Sequence, residues 1–243
     1  IDLARASEEN LLRLIDPKFD NMVAILEDRW GLESARLFFN TTNALIIAEN
    51  TDAAALRAAS LSVSQRIPMV TYDESIRGKI SELATDLGVE QIVVVGDVPW
   101  ASQDGLQQVI HDPGNTKALG EYTAFRFTSK VVKDPSRMVD NIAHLNSSEK
   151  TELKAAWEPL PQTITKEKMP AVPAEARRDS QMAPVIVATV DSPLANVANA
   201  NAYGGTVMVM PDPDPSATKV GAAMTAGLSE GPIVALGPEF GSV

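Results

Sequence analysis

One pattern constrains this chain more than any other: a strand–helix–strand–helix–strand unit written twice, over about residues 44–97 and 184–238. Leu45-Ile46-Ile47-Ala48 opens the first copy and Val185-Ile186-Val187-Ala188 the second, each a short apolar run bounded by polar residues, which reads as a buried strand. Helical stretches of small residues follow, Asp52 to Ser64 and Ser192 to Ala202. The second begins with Ser192-Pro193, a capping hydroxyl followed by a residue preset for the first helical position. Second strands, Pro68–Tyr72 and Thr206–Met210, run up to Asp73 and Asp212. Second helices, from about Glu74 to Leu87 and Ser216 to Leu228, lead to third strands that end in Gly96 and Gly237.

Alternation of this kind demands parallel strands joined by right-handed crossovers. The strands are apolar at successive positions, so both sheet faces must be covered. Ala53-Ala54-Ala55, Ala58-Ala59, Ala195, Ala198, Ala200 and Ala202 let helices lie close to those faces. The expected fold class is therefore α/β: two Rossmann-like three-layer (α/β/α) units with short parallel sheets, packed together with helical flanking segments. Three regions are expected. Residues 1–111 hold an N-terminal helical segment and the first unit. Residues 112–183 form a connector, mostly helical over 119–157 and then Pro-rich through Pro159, Pro161, Pro170, Pro173 and Pro184. Residues 184–243 hold the second unit, and the sequence leaves open whether the natural chain continues past residue 243.

Composition removes several functions. The chain has no cysteine, which excludes disulfides, thiolate nucleophiles, zinc–thiolate sites and iron–sulfur clusters. Its net charge of −11 repels phosphate backbones, so nucleic acid is not an expected partner. That charge is uneven: the C-terminal unit sets only Lys219 against Asp191, Asp212, Asp214, Glu230 and Glu239, while the region 112–183 is near neutral. No apolar run approaches the ~18–20 residues of a membrane helix.

A Rossmann-like topology raises nucleotide binding, which needs glycines where backbone meets pyrophosphate. The corresponding loops, Glu49-Asn50-Thr51-Asp52 and Thr189-Val190-Asp191-Ser192, contain none, so no nucleotide or other cofactor is expected. Asp52, Asp73, Asp191 and Asp212 fall at strand C-terminal ends, where they suit either helix capping or ligand hydroxyls. Asp212-Pro213-Asp214-Pro215 offers two carboxylates on a rigid turn, too few for calcium, and no metal is expected. His111 and His144 lie far apart in sequence, and no Gly-x-Ser-x-Gly elbow occurs, so no catalytic residue is assigned. Trp100 and Tyr203 read as packing residues that could also meet carbohydrate.

The sharpest local cluster is Asp28-Arg29-Trp30. Asp28 suits a helix cap, with Arg29 and Trp30 packing the helix on a neighbouring unit; equally, Arg29 suits a carboxylate or phosphate and Trp30 a sugar ring. The stretch Glu27-Asp28-Arg29-Trp30-Gly31-Leu32-Glu33-Ser34-Ala35 resembles the Asp-Arg-Tyr-x-Thr-Ala signature that opens each type 2 cell-wall-binding repeat. Asn50-Thr51-Asp52-Ala53-Ala54-Ala55-Leu56 resembles that family's Pro-Asp-Ala-Leu-Ala helix start, and Arg66-Ile67-Pro68-Met69-Val70 its Gly-Ala-Pro-Ile-Leu strand. Leu87-Gly88 through Val95-Gly96 resembles its Leu-Gly-x-x-x-Val-x-Ile-Ile-Gly ending. The resemblance runs over about residues 24–110, is weaker over 184–238 and does not cover the middle.

The resemblance implies an exported surface protein of a Gram-positive, actinobacterial kind, held outside the cell in the wall or by a membrane or lipid anchor, with any leader already removed. It implies wall polysaccharide or glycopolymer as partner, often anionic, with Asp28, Arg29 and Trp30 as polymer-binding residues. Three such repeats commonly surround a pseudo-threefold axis, whereas this sequence displays two, and the second has no Asp-Arg-Tyr-like opening. The expected function is a non-catalytic wall-associated protein. Two alternatives stay open: a carbohydrate-active hydrolase with its site between the units, and a two-lobed solute-binding protein, which would need several strands crossing between lobes. The sequence leaves the oligomeric state open.

Overall fold

A computed structural model describes residues 1–101 and 105–242; Val243, the last residue of the expected second unit, lies outside them. The chain begins with α1 (Leu3–Leu11) and β1 (Val23–Ile25). Next come α2 (Leu32–Phe38), β2 (Ala44–Ala48), α3 (Asp52–Gln65), β3 (Met69–Thr71), α4 (Arg77–Asp86), β4 (Gln91–Val95) and β5 (Gln108–His111). The middle holds α5 (Thr116–Thr123), β6 (Thr128–Val132), α6 (Met138–Ala143) and β7 (Thr151–Ala155). The last stretch holds β8 (Val185–Ala188), α7 (Leu194–Tyr203), β9 (Val207–Val209), α8 (Lys219–Thr225) and β10 (Ile233–Ala235).

The α/β class is observed. One four-stranded sheet has the order β3-β2-β4-β5, a second has β1-β10-β8-β9, and β6-β7 form a smaller two-stranded sheet. Every pairing is parallel. Both copies of the unit supply the three strands expected of them, and each sheet gains a fourth that sequence patterning does not reveal. In the first sheet that strand is β5, which follows β4 along the chain. In the second it is β1, from the segment expected to be helical. Ile233 N–H donates to Met22 O at 2.9 Å and Leu26 N–H donates to Ala235 O at 2.9 Å, so the start of the chain covers an edge that β10 would otherwise leave open.

The middle region also differs from expectation. It contains two strands where a mostly helical pattern is expected. Thr128-Ser129-Lys130-Val131-Val132 and Thr151-Glu152-Leu153-Lys154-Ala155 are short and polar-rich, so neither shows the apolar run that marks β2 or β8. Glu152 and Leu153 are nonetheless buried, because β7 lies against α3. Residues 158–184 carry no helix or strand. They wrap the body as an extended strap, with Val172 N–H on Tyr122 O and Glu175 N–H on Gln65 O.

Three helices, one following a strand of each sheet, meet in the interior: α3 packs on α7, and α6 packs on both. Every residue of α3 from Ala53 to Gln65 is buried. A helix enclosed on all sides needs small residues all round, which is what its Ala and Ser content provides, and its polar groups need partners inside the protein. Thr51 caps it, accepting from Ala54 N–H. Ser60 Oγ donates to Leu56 O and accepts from Leu153 N–H, so one hydroxyl joins α3 to β7. The start of α7 departs from expectation. Pro193 occupies the cap position, and Ser192 accepts from Thr189 N–H while donating to Glu239 instead of capping the helix. Phe38 of α2 packs on Tyr203 with ring centroids 5.2 Å apart and on Phe19 at 6.1 Å.

Candidate functional site

The Asp28-Arg29-Trp30 turn connects β1 to α2 and therefore links two sheets. Asp28 is occupied in holding the turn. Its Oδ1 accepts from Trp30 N–H at 3.1 Å and its Oδ2 from Leu32 N–H at 2.6 Å and Glu33 N–H at 3.2 Å. A carboxylate on these free N–H groups also faces the positive end of the helix dipole. Gly31 follows at φ 90°, and an added Cβ would lie 2.8 Å from Ala195 Cβ and 3.0 Å from Met69 O. The turn is thus pressed onto α7 at a separation only glycine allows.

Polar side chains of α7 complete that junction. Asn196 Nδ2 donates to Asp28 O at 3.0 Å, and Ser34 Oγ donates to Asn196 Oδ1 at 2.8 Å. Asn199 accepts from Met69 N–H at 2.8 Å and donates to Met69 O at 2.9 Å, closing the outer edge of β3 as a neighbouring strand would. Trp30 is half-buried against the core, and its carbonyl accepts from Thr71 N–H at 2.8 Å. Arg29 is exposed, with its guanidinium carbon 5.9 Å from the Trp30 ring centroid. Of the three residues singled out in the sequence, one builds the turn, and the other two place a cation over a half-buried ring. A groove of about 430 Å³ runs beside the turn, lined by Asp28, Glu33 and Arg36 on one side and Lys79 and Glu82 of α4 on the other. Carboxylates and cations around a shallow groove supply both acceptors and donors for hydroxyl groups.

Among the described residues, no three of the strand-end carboxylates gather at one place. Asp52 accepts from Trp157 Nε1 at 3.0 Å, Asp73 from Ser75 N–H at 3.0 Å, and Asp212 from Asp214 N–H at 2.8 Å. Asp191 is exposed, and its N–H donates to Thr189 Oγ1 at 3.2 Å. The Ser75 contacts hold the Asp73 carboxyl below the usual range, as an exposed capping residue would be held. His111 lies exposed on β5, and His144 is exposed at the end of α6 with Nδ1 2.7 Å from Asp140 O. Among the described residues, no group of three or more His, Cys, Asp or Glu side chains is placed to hold a metal ion. Trp100 and Tyr203 are buried packing residues, 7% and 1% exposed.

Sequence reasoning missed a buried ionic cluster. Arg57 of α3 donates from Nε and Nη2 to Asp112 at 2.9 and 2.8 Å, and from Nη1 to Glu152 at 2.5 Å. Thr116 and Ser129 also donate to Glu152, and Tyr122 donates to Asp112. Burial favours a neutral Glu152, but the Thr116 bond, the Arg57 charge, the Ser129 bond and the Lys154 charge outweigh it and lower its pKa. The only sequence signal is an Arg within a stretch otherwise made of small and apolar residues.

No family model matches the sequence, and no curated protein matches it. Cwp6 from Clostridium difficile is a similar solved structure, with a TM-score of 0.52 and 12% identity. The likeness covers 89% of this chain and 46% of that one, so this chain spans less than half of the Cwp6 chain. At this identity the two share a fold. The resemblance to type 2 cell-wall-binding repeats is thereby supported as far as a fold like that of a cell-wall protein. Among the described residues, no helix is long and apolar enough to cross a membrane.

Proposed function

We propose that the chain is a non-catalytic, cell-surface module that binds a wall polysaccharide or glycopolymer at the turn between β1 and α2. The observation that carries this reading is the pairing of exposed Arg29 with the Trp30 ring on a turn that Asp28 and Gly31 hold rigid. A cation over an aromatic ring suits a sugar bearing a charged group, because the ring offers an apolar surface to the sugar and the guanidinium donates to the charged substituent. The fold shared with Cwp6, a cell-wall protein, supports the surface location. In this reading Arg29 and Trp30 contact polymer and Asp28 positions them.

The hydrolase alternative needs carboxylates gathered in a pocket, whereas the Asp52, Asp73 and Asp212 carboxylates each accept a bond from a different partner and Asp191 is exposed. The two-lobed receptor needs an open cleft between lobes, whereas α3 and α7 fill the space between the sheets with buried side chains. The test is co-sedimentation with purified cell walls of the source organism. The parent protein should pellet with walls, and Arg29→Ala and Trp30→Ala should reduce pelleting at an unchanged melting temperature. A parent protein that stays in the supernatant sinks the proposal.

A further inference from the structure

Four cations run along one end of the molecule, near the C-terminal ends of α2, α3 and α7. Lys18 Nζ donates to Phe38 O at 3.5 Å. Arg178 donates from Nη1 to Arg66 O at 2.5 Å and from Nη2 to Thr41 O at 3.3 Å. Arg66 donates to Glu175 O at 3.3 Å and to Ser147 Oγ at 3.1 Å. Lys150 Nζ donates to Ser64 O at 3.1 Å. Each cation is half-buried and held by neutral oxygens, so its position is set while its charge is left in place. Among the described residues none of the four forms an ion pair.

The four also feel one another. Burial, with Arg178 adding to it against the pull of Asp16, lowers the Lys18 pKa. Burial and Arg66 lower that of Arg178 against Glu175, and burial and Arg66 lower that of Lys150. Two clefts flank the row. One, of about 260 Å³, is lined by Lys18, Arg178, Asn40 and Asp16; the other, of about 290 Å³, by Arg66, Arg177, His144 and Ser147. The nearby carboxylates are already engaged. Asp16 accepts from Lys18 N–H, Glu175 from Asn43 N–H, and Asp179 is paired with Arg177.

We propose that Lys18, Arg178, Arg66 and Lys150 form a single site for an extended polyanion bearing two or more phosphate or carboxylate groups. Like charges held at close range, with no carboxylate in an ion pair to any of them, are relieved by an anion that reaches several at once. Donors remain to do so: Lys18 and Lys150 each have ammonium hydrogens beyond the single bond described, and Arg178 has its Nε hydrogen. The site is separate from the Arg29–Trp30 turn and does not depend on it.

The experiment titrates the full chain with inorganic tripolyphosphate, with inorganic phosphate, and with a phosphate-bearing wall glycan, at matched ionic strength. Tripolyphosphate should bind more tightly than phosphate, and binding should weaken with added salt. Lys18→Gln and Lys150→Gln should each lower tripolyphosphate affinity roughly tenfold, as expected for one lost charge-assisted contact, while Lys219→Gln, at an exposed lysine on α8, leaves it unchanged. Glycan binding that weakens in Lys18→Gln and Lys150→Gln identifies a wall source; glycan binding that ignores both variants while tripolyphosphate binding weakens identifies a free polyanion. Lysine acetylation read by mass spectrometry on the parent protein gives a second test that needs no variant: tripolyphosphate should protect Lys18 and Lys150 but not Lys79 or Lys219. Absence of binding, or binding and protection that ignore Lys18 and Lys150, would overturn the proposal.

Discussion

Arg57 and Glu152 meet at 2.5 Å although 95 residues of chain separate them, and their side chains are 3% and 2% exposed. With Asp112 on the other side of the guanidinium, this contact ties α3 to β7 and to the chain just after β5. The middle region, which has the pattern of a connector in the sequence, is thereby fastened to the first unit through a charge cluster inside the protein.

Arg57→Met should destabilise the protein by about 3–5 kcal/mol, because it leaves Asp112 buried without its cation and Glu152 with Lys154 alone, 3.5 Å away. Urea unfolding at neutral pH measures this. The response to acid should also differ between parent and variant. In the parent the Glu152 pKa is lowered, so its contribution is present above the ordinary value of about 4.3 and is lost as pH falls through the folded value. Without Arg57, burial dominates, protonation of Glu152 relieves the cost, and the gap between variant and parent should narrow on acidification. A gap that stays constant from pH 7 to pH 4 would show that the charges contribute little.

Asn199→Leu tests the side-chain closure of β3. It leaves Met69 N–H and O buried and without the amide that now pairs with both. At ~1–3 kcal/mol for each unsatisfied group, a loss of at least about 2 kcal/mol is expected. Hydrogen exchange at Met69 should accelerate more than at Ile46, its neighbour on β2. Equal acceleration at the two would point to general loosening of the sheet.

Gly31→Ala separates conformation from crowding. The left-handed backbone alone costs a side-chain-bearing residue about 1–3 kcal/mol, and the new Cβ meets Ala195 Cβ as well. Ala195→Gly removes that second contact, so the double variant should recover part of the stability lost by Gly31→Ala. Strictly additive losses would show that the Ala195 contact contributes nothing and leave the cost to the left-handed backbone and the approach to Met69 O.

Much of the architecture is legible in the sequence. Runs such as Leu45–Ala48 and Val185–Ala188 are short, β-branched and buried on both faces, and a covered parallel strand leaves that signature wherever it occurs. The edge and minor strands leave no such mark. β1 is three residues long with alternate residues exposed, and β6 carries four exposed positions in five, so each depends on a partner distant in sequence. The chemistry follows the same division. Asp28-Arg29-Trp30 stands out as a local motif. Lys18, Arg66, Lys150 and Arg178 carry no sequence signal, because their relation exists only where four distant segments converge.

The repeated unit, the parallel sheets and the small-residue helices were determined by the sequence alone, since each rests on periodicity and residue size within a short window. Tertiary structure decided which sheet β1 joins, that the middle of the chain supplies a third sheet, and that α3 is enclosed on every side. It also decided which charges are neutralised: Arg57 has two carboxylates, while the cations from Lys18 to Lys150 have carbonyl and hydroxyl oxygens. The physical reason is range. Backbone propensity and burial pattern act between neighbours in sequence, whereas strand edges and charges find partners according to distance in space.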